Sequence, residues 1–193
     1  MDKYVAAVKQ FHDKFGIHVG KRNRSVPVDV MNFRGDLIEE ETTEFLEDFS
    51  AMSPRDILDS LADIKYGLAG TILSIGRQGR WKSANFPVVS VTDTPEEFLV
   101  ECGYDILRSI NTLKSAYHTT AIASGILLQM DGLLANMCVT AGLPEHIFHQ
   151  VFMEVHRSNM SKEGGLHTKD GKIKKGPGFI EPDLDRFVKY IKI

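Results

Sequence analysis

Three glutamates in the first quarter of the chain have the type and spacing of metal ligands. Glu41 and Glu44 are three residues apart, and Glu40 is next to Glu41. Residues three apart in a helix lie on one face, so the carboxylates of Glu41 and Glu44 point in a common direction. Carboxylate oxygens are the ligands that hard cations such as Mg²⁺ and Mn²⁺ prefer.

A second acidic group follows after a short interval. Asp56, Asp59 and Asp63 are spaced at i, i+3 and i+7, which in a helix places all three along one face. Asp59 and Asp63 are flanked by apolar residues, and a carboxylate on a largely buried helix requires a partner. Where two acidic faces meet, their repulsion favours a cation between them. Two solvated acidic surfaces are the alternative interpretation.

The two acidic groups fall on two predicted helices that are joined by a short turn. The first is predicted at about 30–49, and the second runs from Pro54 to near Gly76, with Ser53 as its N-cap. Each helix has apolar residues at helical spacing, so each has a face to bury. These apolar residues are Leu37, Phe45, Ile57, Leu58, Leu61, Ile64 and Leu68.

The rest of the chain also has mainly helical patterns. Further helices are predicted at 2–15, 94–117, 119–141, 144–162 and 184–191. Asp170-Gly171 predicts a β-hairpin turn between two lysine-containing segments. The fold class is therefore all-α: an antiparallel helical bundle with a small C-terminal β-hairpin or loop, in a single domain that spans residues 1–193.

The composition limits the classes of partner. A chain of 193 residues with 42% hydrophobic and 25% charged residues fits one soluble domain with a sizeable core. The net charge of -3 offers no bulk attraction for nucleic acid or an acidic membrane. Cys102 and Cys138 match no zinc pattern, so we expect both to be reduced and buried. No segment is expected to cross a membrane and no signal peptide is expected, which favours a cytoplasmic location.

A basic group near the C-terminus complements the acidic residues. Arg157 and Lys162 lie where the sixth predicted helix ends, and Lys172, Lys174 and Lys175 follow on the predicted hairpin. Basic side chains beside a metal-binding acidic pocket are suited to hold a polyphosphate. Basic residues at a helix C-terminus also complement the helix dipole without any ligand, which is the alternative.

The two acidic stretches resemble the signature of the all-α NTP pyrophosphohydrolases, the superfamily of MazG, dimeric dUTPases, dCTP pyrophosphatases and phosphoribosyl-ATP pyrophosphohydrolase. That superfamily has EExxE on one helix and ExxD on the next. Residues 40–44 match the first motif, preceded by Arg34, and the second motif aligns with residues 56–59. Aligning Ser60 and Asp63 with the second motif instead would leave it without its first acid.

Three further segments resemble the MazG-like or phosphoribosyl-ATP pyrophosphohydrolase-like branch of this superfamily. They are FHDKFG at 11–16, VHRSNMSK at 155–162 and KGPGF at 175–179. The resemblance covers about residues 8–76 and 145–183, whereas no motif matches about 77–140. It implies a MazG-like four-helix core to which this chain adds helices.

The resemblance implies metal-dependent hydrolysis of a (deoxy)nucleoside triphosphate to the monophosphate and pyrophosphate, as nucleotide-pool housekeeping. It implies that Glu41, Glu44, Asp56 and Asp59 bind Mg²⁺, or Mn²⁺ in its place. Asp56 is one methylene shorter than the glutamate of the family motif. A ligand set in which Asp59 acts with Asp63 therefore stays open.

The resemblance also implies roles for residues outside the metal ligands. Glu40 would orient or deprotonate the attacking water, and Lys162 would stabilise charge on the leaving pyrophosphate. Arg157, Asn159, Lys162 and Lys175 would bind the substrate. The implied assembly is a homodimer or homotetramer, with no nucleic acid or membrane partner. Two rival functions are a helical bundle that binds or senses a nucleotide without cleaving it, and a phosphohydrolase that cuts another phosphate bond.

Overall fold

The computed structural model describes residues 1–22, 24–86, 94–163 and 172–193. Within these ranges the chain forms six α-helices and two short 3₁₀ helices, which confirms the predicted all-α bundle. The α-helices are α1 Lys3–Phe15, α2 Val28–Ser50, α3 Pro54–Ser74, α4 Pro95–Ser115, α5 Thr120–Thr140 and α6 Glu145–Met160. The 3₁₀ helices are Ala116–His118 and Asp185–Tyr190. The turn of the predicted C-terminal hairpin, at residues 170–171, lies outside the described ranges, so the hairpin stays a prediction.

Helix α1 begins and ends at signals that are visible in the sequence. The carboxylate of Asp2 accepts hydrogen bonds from the backbone N–H groups of Tyr4 and Val5, at 3.0 and 3.3 Å. These two donors have no partner within the helix, so the cap stabilises its first turn. At the other end Gly16 adopts a left-handed conformation with φ of 65°, which terminates the helix at low cost.

Helices α2 and α3 form an antiparallel pair. Asp48 accepts a hydrogen bond from Ser60, and Arg34 near the start of α2 donates one to Ser74 at the end of α3. The start of α2 therefore contacts the end of α3, and the end of α2 contacts the start of α3. Gly67 allows close approach at the middle of the pair, since a Cβ there would lie 3.2 Å from a side-chain carbon of Ile38.

The apolar core is built around α3. Nearly every residue of α3 from Ile57 onward is buried, and α1, α2, α5 and α6 all pack against this helix. Helix α4 packs against α2 and α5. Buried side chains of α4 and α5 belong to the same apolar cluster as those of α3, so the segment that matches no motif still contributes to the core.

A buried ion pair connects α3 to α5. Lys65 pairs with Asp131, and both side chains are almost fully buried. Lys65 also donates to Ser83 at 3.0 Å, and the second carboxylate oxygen of Asp131 accepts from the backbone N–H of Ala84 at 2.8 Å. The loop that follows α3 is thereby attached to the core through its backbone.

We expected no segment to be apolar enough to cross a membrane, but helix α5 is long and apolar enough to do so. Its most apolar stretch has a mean hydropathy of 1.5, and 44% of that stretch is buried inside the bundle. A core helix passes the same test, and α5 packs against α3 and α4. The cytoplasmic location stays a prediction.

Candidate functional site

A cavity of about 320 Å³ lies between α1, α2, α3 and the C-terminal end of α6. Its lining contains two groups of side chains. Glu41, Asp63, Asn159, Lys162 and Lys172 form a charged and polar group. The aromatic rings of Phe11, Phe15 and Phe33 form the second group, together with His12 and Arg34, which contact each other.

Glu41 on α2 and Asp63 on α3 bring two carboxylates to the cavity. Burial raises the pKa of Glu41 to about 8, with a further contribution from Asp63 and then from Glu44. Burial likewise raises the pKa of Asp63 to about 7, followed by the charge of Asp59. Both shifts have the cause expected of like charges held together away from water. A divalent cation between these groups would remove the repulsion.

Glu44 and Asp59 lie beside the two cavity carboxylates without lining the cavity. Glu44 is exposed, and its charge acts on both Glu41 and Asp63. Burial raises the pKa of Asp59. Among the residues that the structure describes, no three His, Cys, Asp or Glu side chains are close enough to hold one ion as they stand. The four acids Glu41, Glu44, Asp59 and Asp63 are therefore close enough for their charges to interact, and of these four Glu41 and Asp63 line the cavity.

Asp56, which we predicted as a metal ligand, does not lie at the cavity. Its carboxylate accepts hydrogen bonds from Ser53 Oγ at 2.5 Å and from Arg55 at 3.2 Å, and its side chain is 48% exposed. Asp56 and Asp63 are seven residues apart, or about 10 Å along the helix axis. The position on α3 that faces Glu41 is therefore taken by Asp63, the residue that the sequence left open as an alternative.

Asn159, in the last turn of α6, and Lys162, just after that helix, line the cavity, and their role in binding a substrate stays a prediction. Asn159 is buried, and its side-chain amide favours the charged form of Asp63, which opposes the rise in the pKa of that carboxyl. Burial lowers the pKa of Lys162, and the neighbouring charges of Asp63 and Glu41 oppose that shift. Lys162 makes no ion pair within 4 Å in the described part of the chain, so its ammonium group faces the cavity without a fixed carboxylate partner.

Three other predicted site residues lie outside the cavity. Arg157 donates to Glu154 at 2.6 Å and to the backbone oxygen of Glu181 at 3.0 Å. Lys175 pairs with Glu181 at 3.1 Å. Glu40 is half exposed and forms an ion pair with Lys172 at 2.6 Å, which places it next to a cavity residue without lining the cavity itself.

The structure adds Arg34 and His12 to the candidate site. Arg34 precedes Glu41 by seven residues, or two helical turns, so the two side chains share a face of α2. That spacing is the signal in the sequence that could have identified Arg34 as a site residue. His12 comes from α1, and nothing in its own segment indicates that it contacts Arg34.

Comparison with family models, curated proteins and solved structures gives no match to this chain. The functional interpretation therefore depends on the chemistry of the cavity.

Proposed function

We propose that this protein hydrolyses a nucleoside triphosphate between its α- and β-phosphates, in a metal-dependent reaction that releases the monophosphate and pyrophosphate. One observation carries the proposal. Glu41 and Asp63 line a cavity together with Lys162, Asn159 and the aromatic rings of Phe11, Phe15 and Phe33. A nucleotide likewise combines a polyanionic chain with a flat, largely apolar base.

The carboxylates that line the cavity are suited to Mg²⁺, or to Mn²⁺ in its place. The donor atoms are all oxygens, and burial together with the neighbouring acids raises the pKa values of Glu41 and Asp63, which a bound cation would reverse. Glu41 and Asp63 would hold the ion, with Glu44 and Asp59 next to them. When bound, the ion would neutralise phosphate oxygens and favour deprotonation of a water molecule.

The remaining residues have roles that follow from their positions. Lys162 would donate hydrogen bonds to the phosphate oxygens and stabilise the charge that builds up on pyrophosphate. Asn159 lies beside Asp63, and its amide favours the carboxylate form of that side chain. Lys172, which pairs with Glu40 and lies 3.6 Å from Glu41, adds positive charge at the cavity. The role of Glu40 in orienting or deprotonating water stays a prediction.

The test compares two aspartates on the same helix. The wild-type protein and the Asp63→Asn and Asp56→Asn variants are incubated with Mg²⁺ and a panel of nucleoside triphosphates, and pyrophosphate and monophosphate are measured. We expect Asp63→Asn to lower kcat by roughly 100-fold or more, because a group that holds the ion is lost. Asp56→Asn is the matched control and should stay within about threefold of wild type, because its carboxylate lies outside the cavity. Full turnover by Asp63→Asn would contradict the assignment.

A second candidate function is nucleotide binding without cleavage. It is favoured by the arrangement of the acids, because no three of them converge on one point in the described ranges. Calorimetry alongside the pyrophosphate assay separates the two functions, since binding without any product would support a sensor. Release of orthophosphate in place of pyrophosphate would indicate cleavage of a different phosphate bond. Assembly as a homodimer or homotetramer stays a prediction.

A further inference from the structure

Arg34 is a buried cation in the wall of the cavity. Its side chain belongs to a residue that is only 6% exposed, yet it lines the cavity. Nε donates to Ser74 Oγ at 2.9 Å, and Nη2 lies 3.1 Å from His12 Nε2. Within the described residues no carboxylate pairs with Arg34, and the two N–H groups of Nη1 have no acceptor. A buried guanidinium without a counter-charge is costly unless a ligand completes its hydrogen bonds.

His12 does not supply the missing negative charge, but it fixes the guanidinium. Nδ1 of His12 lies 3.2 Å from the backbone oxygen of His18, which only accepts, so Nδ1 carries the proton. Nε2 is then an acceptor for the Nη2 N–H of Arg34. Burial, followed by the charge of Arg34, lowers the pKa of His12 to about 3, so the ring is neutral at ordinary pH. Arg34 is therefore held on two sides by neutral groups.

The backbone of α3 also makes room for this arrangement. A Cβ at Gly70 would lie 2.9 Å from Nη1 of Arg34 and 3.3 Å from Nε2 of His12. The guanidinium approaches α3 at a position where a side chain would displace it. Four positions on three helices, residues 12, 34, 70 and 74, thus combine to hold one cation whose Nη1 is left without an acceptor.

The position of Arg34 in the cavity indicates which part of a nucleotide it would contact. It lies two turns from Glu41 on α2, or about 10 Å along the helix axis, with Leu37 between them on the cavity wall. Phe33 packs near the guanidinium, with 5.6 Å between the Arg34 Cζ and the ring centroid. Phe11 and Phe15, on the helix that carries His12, also line the cavity. Aromatic side chains stack on flat bases, so the part of the cavity around Arg34 is suited to the base and the part around Glu41 to the phosphates.

We propose that Arg34 is a specificity-determining residue that donates a hydrogen bond to the oxo oxygen at C6 of a purine base or C4 of a pyrimidine base. This proposal rests on the proposed nucleotide substrate. Bases with an oxo group at the position that meets Arg34 are accepted: guanine, hypoxanthine, uracil and thymine. Adenine and cytosine carry an amino group there, which sets N–H against N–H and leaves the buried donors unpaired.

The experiment measures binding, so it does not depend on turnover. Wild-type protein with Mg²⁺ is titrated in a calorimeter with α,β-methylene analogues, which lack the bond that would be cleaved. The ligands form two pairs, and within each pair the bases have the same ring system but differ in an oxo or an amino group. The purine pair is the dITP and dATP analogues, and the pyrimidine pair is the dUTP and dCTP analogues. In the pair that binds more tightly, we expect the oxo member to bind about tenfold better or more.

A variant then assigns the preference to Arg34. Arg34→Met keeps an unbranched chain but removes the donors, and it should bring the two members of the pair to within about twofold. Arg77→Met is the matched control. Arg77 is a partly buried arginine that donates to Thr120 at 3.0 Å away from the cavity, so this variant should keep the preference. Circular dichroism checks that both variants fold. If Arg34→Met does not fold, the proposal is tested by the binding of the oxo and amino analogues to wild type alone.

The outcomes separate this inference from the proposed function. Equal binding of both members of the pair, or tighter binding of the amino member, overturns the role of Arg34, while pyrophosphate release by wild type would leave the hydrolase proposal intact. Oxo-selective binding without cleavage supports the role of Arg34 and contradicts hydrolysis. Absence of binding by every analogue overturns both.

Discussion

The carboxylates of Glu41 and Asp63 should make the metal-free protein less stable as the pH rises. Their pKa values in the folded state are about 8 and about 7, against 4.5 and 3.8 for the free groups. A group with a raised pKa keeps its proton in the folded state after the unfolded state has lost it. The stability that it contributes is therefore present at low pH and is lost as the pH rises toward the folded pKa.

The magnitude follows from the same pKa values. Between pH 7 and 8.5 the unfolded chain holds no proton on either carboxylate, whereas the folded chain releases most of the proton on Glu41 and the rest of that on Asp63. At about 1.4 kcal/mol per pH unit and proton, the loss is on the order of 1–2 kcal/mol for the pair. For a chain of this size, that corresponds to a fall in Tm of roughly 2–8 °C.

Buried histidines change the stability with pH in the opposite direction, so their effect has to be distinguished from that of the two carboxylates. Burial lowers the pKa of His12, His149 and His156, so each contributes stability that is lost as the pH falls. Their contribution is nearly complete by pH 7. The part of the histidine contribution that still changes above pH 7 cancels when wild type is compared with Glu41→Gln, because both proteins have the same histidines.

The assay is thermal unfolding followed by circular dichroism at pH 7, 7.5, 8 and 8.5, with EDTA and again with excess Mg²⁺. In EDTA the Tm of wild type should fall over this range, whereas that of Glu41→Gln should stay nearly flat. Mg²⁺ should raise the Tm of wild type more at pH 8.5 than at pH 7, since the ion competes with protons for the carboxylates. Asp56→Asn should behave as wild type. A flat wild-type profile in EDTA would refute the reasoning that two buried carboxylates repel each other.

Two further predictions concern the scaffold. Asp131→Asn leaves the buried ammonium of Lys65 without its counter-charge, so urea unfolding should show a loss of about 3–5 kcal/mol, and a loss below 1 kcal/mol would contradict the role of the pair. Gly20→Ala should cost about 1–3 kcal/mol in the same assay, because its Cβ would lie 2.1 Å from the backbone oxygen of Ser74. Gly79→Ala is the control, since nothing lies within 4 Å of a Cβ there, and a similar loss in both glycine variants would exclude the steric explanation.

Much of the fold could be predicted from the sequence because the signals that define helices are local. Gly16 and Pro54 mark the end of α1 and the start of α3 where the structure has them. The last short helix is also at the predicted position, although it is a 3₁₀ helix over Asp185–Tyr190. Thr94 and Glu97 have the spacing of a capping box, and α4 starts directly after Thr94, but the Thr94 hydroxyl makes no capping hydrogen bond.

The sequence by itself determined which residue types are candidates for chemistry, and it named Glu41, Asn159 and Lys162, which all line the cavity. It did not determine which aspartate of α3 faces Glu41, because Asp56, Asp59 and Asp63 share one helical face and only the register of the α2–α3 pair selects among them. The role of Arg34 needed the tertiary structure even more. Its partners come from positions 12 and 74, on two other helices, and a contact between distant segments depends on how the helices pack rather than on the local pattern of either one.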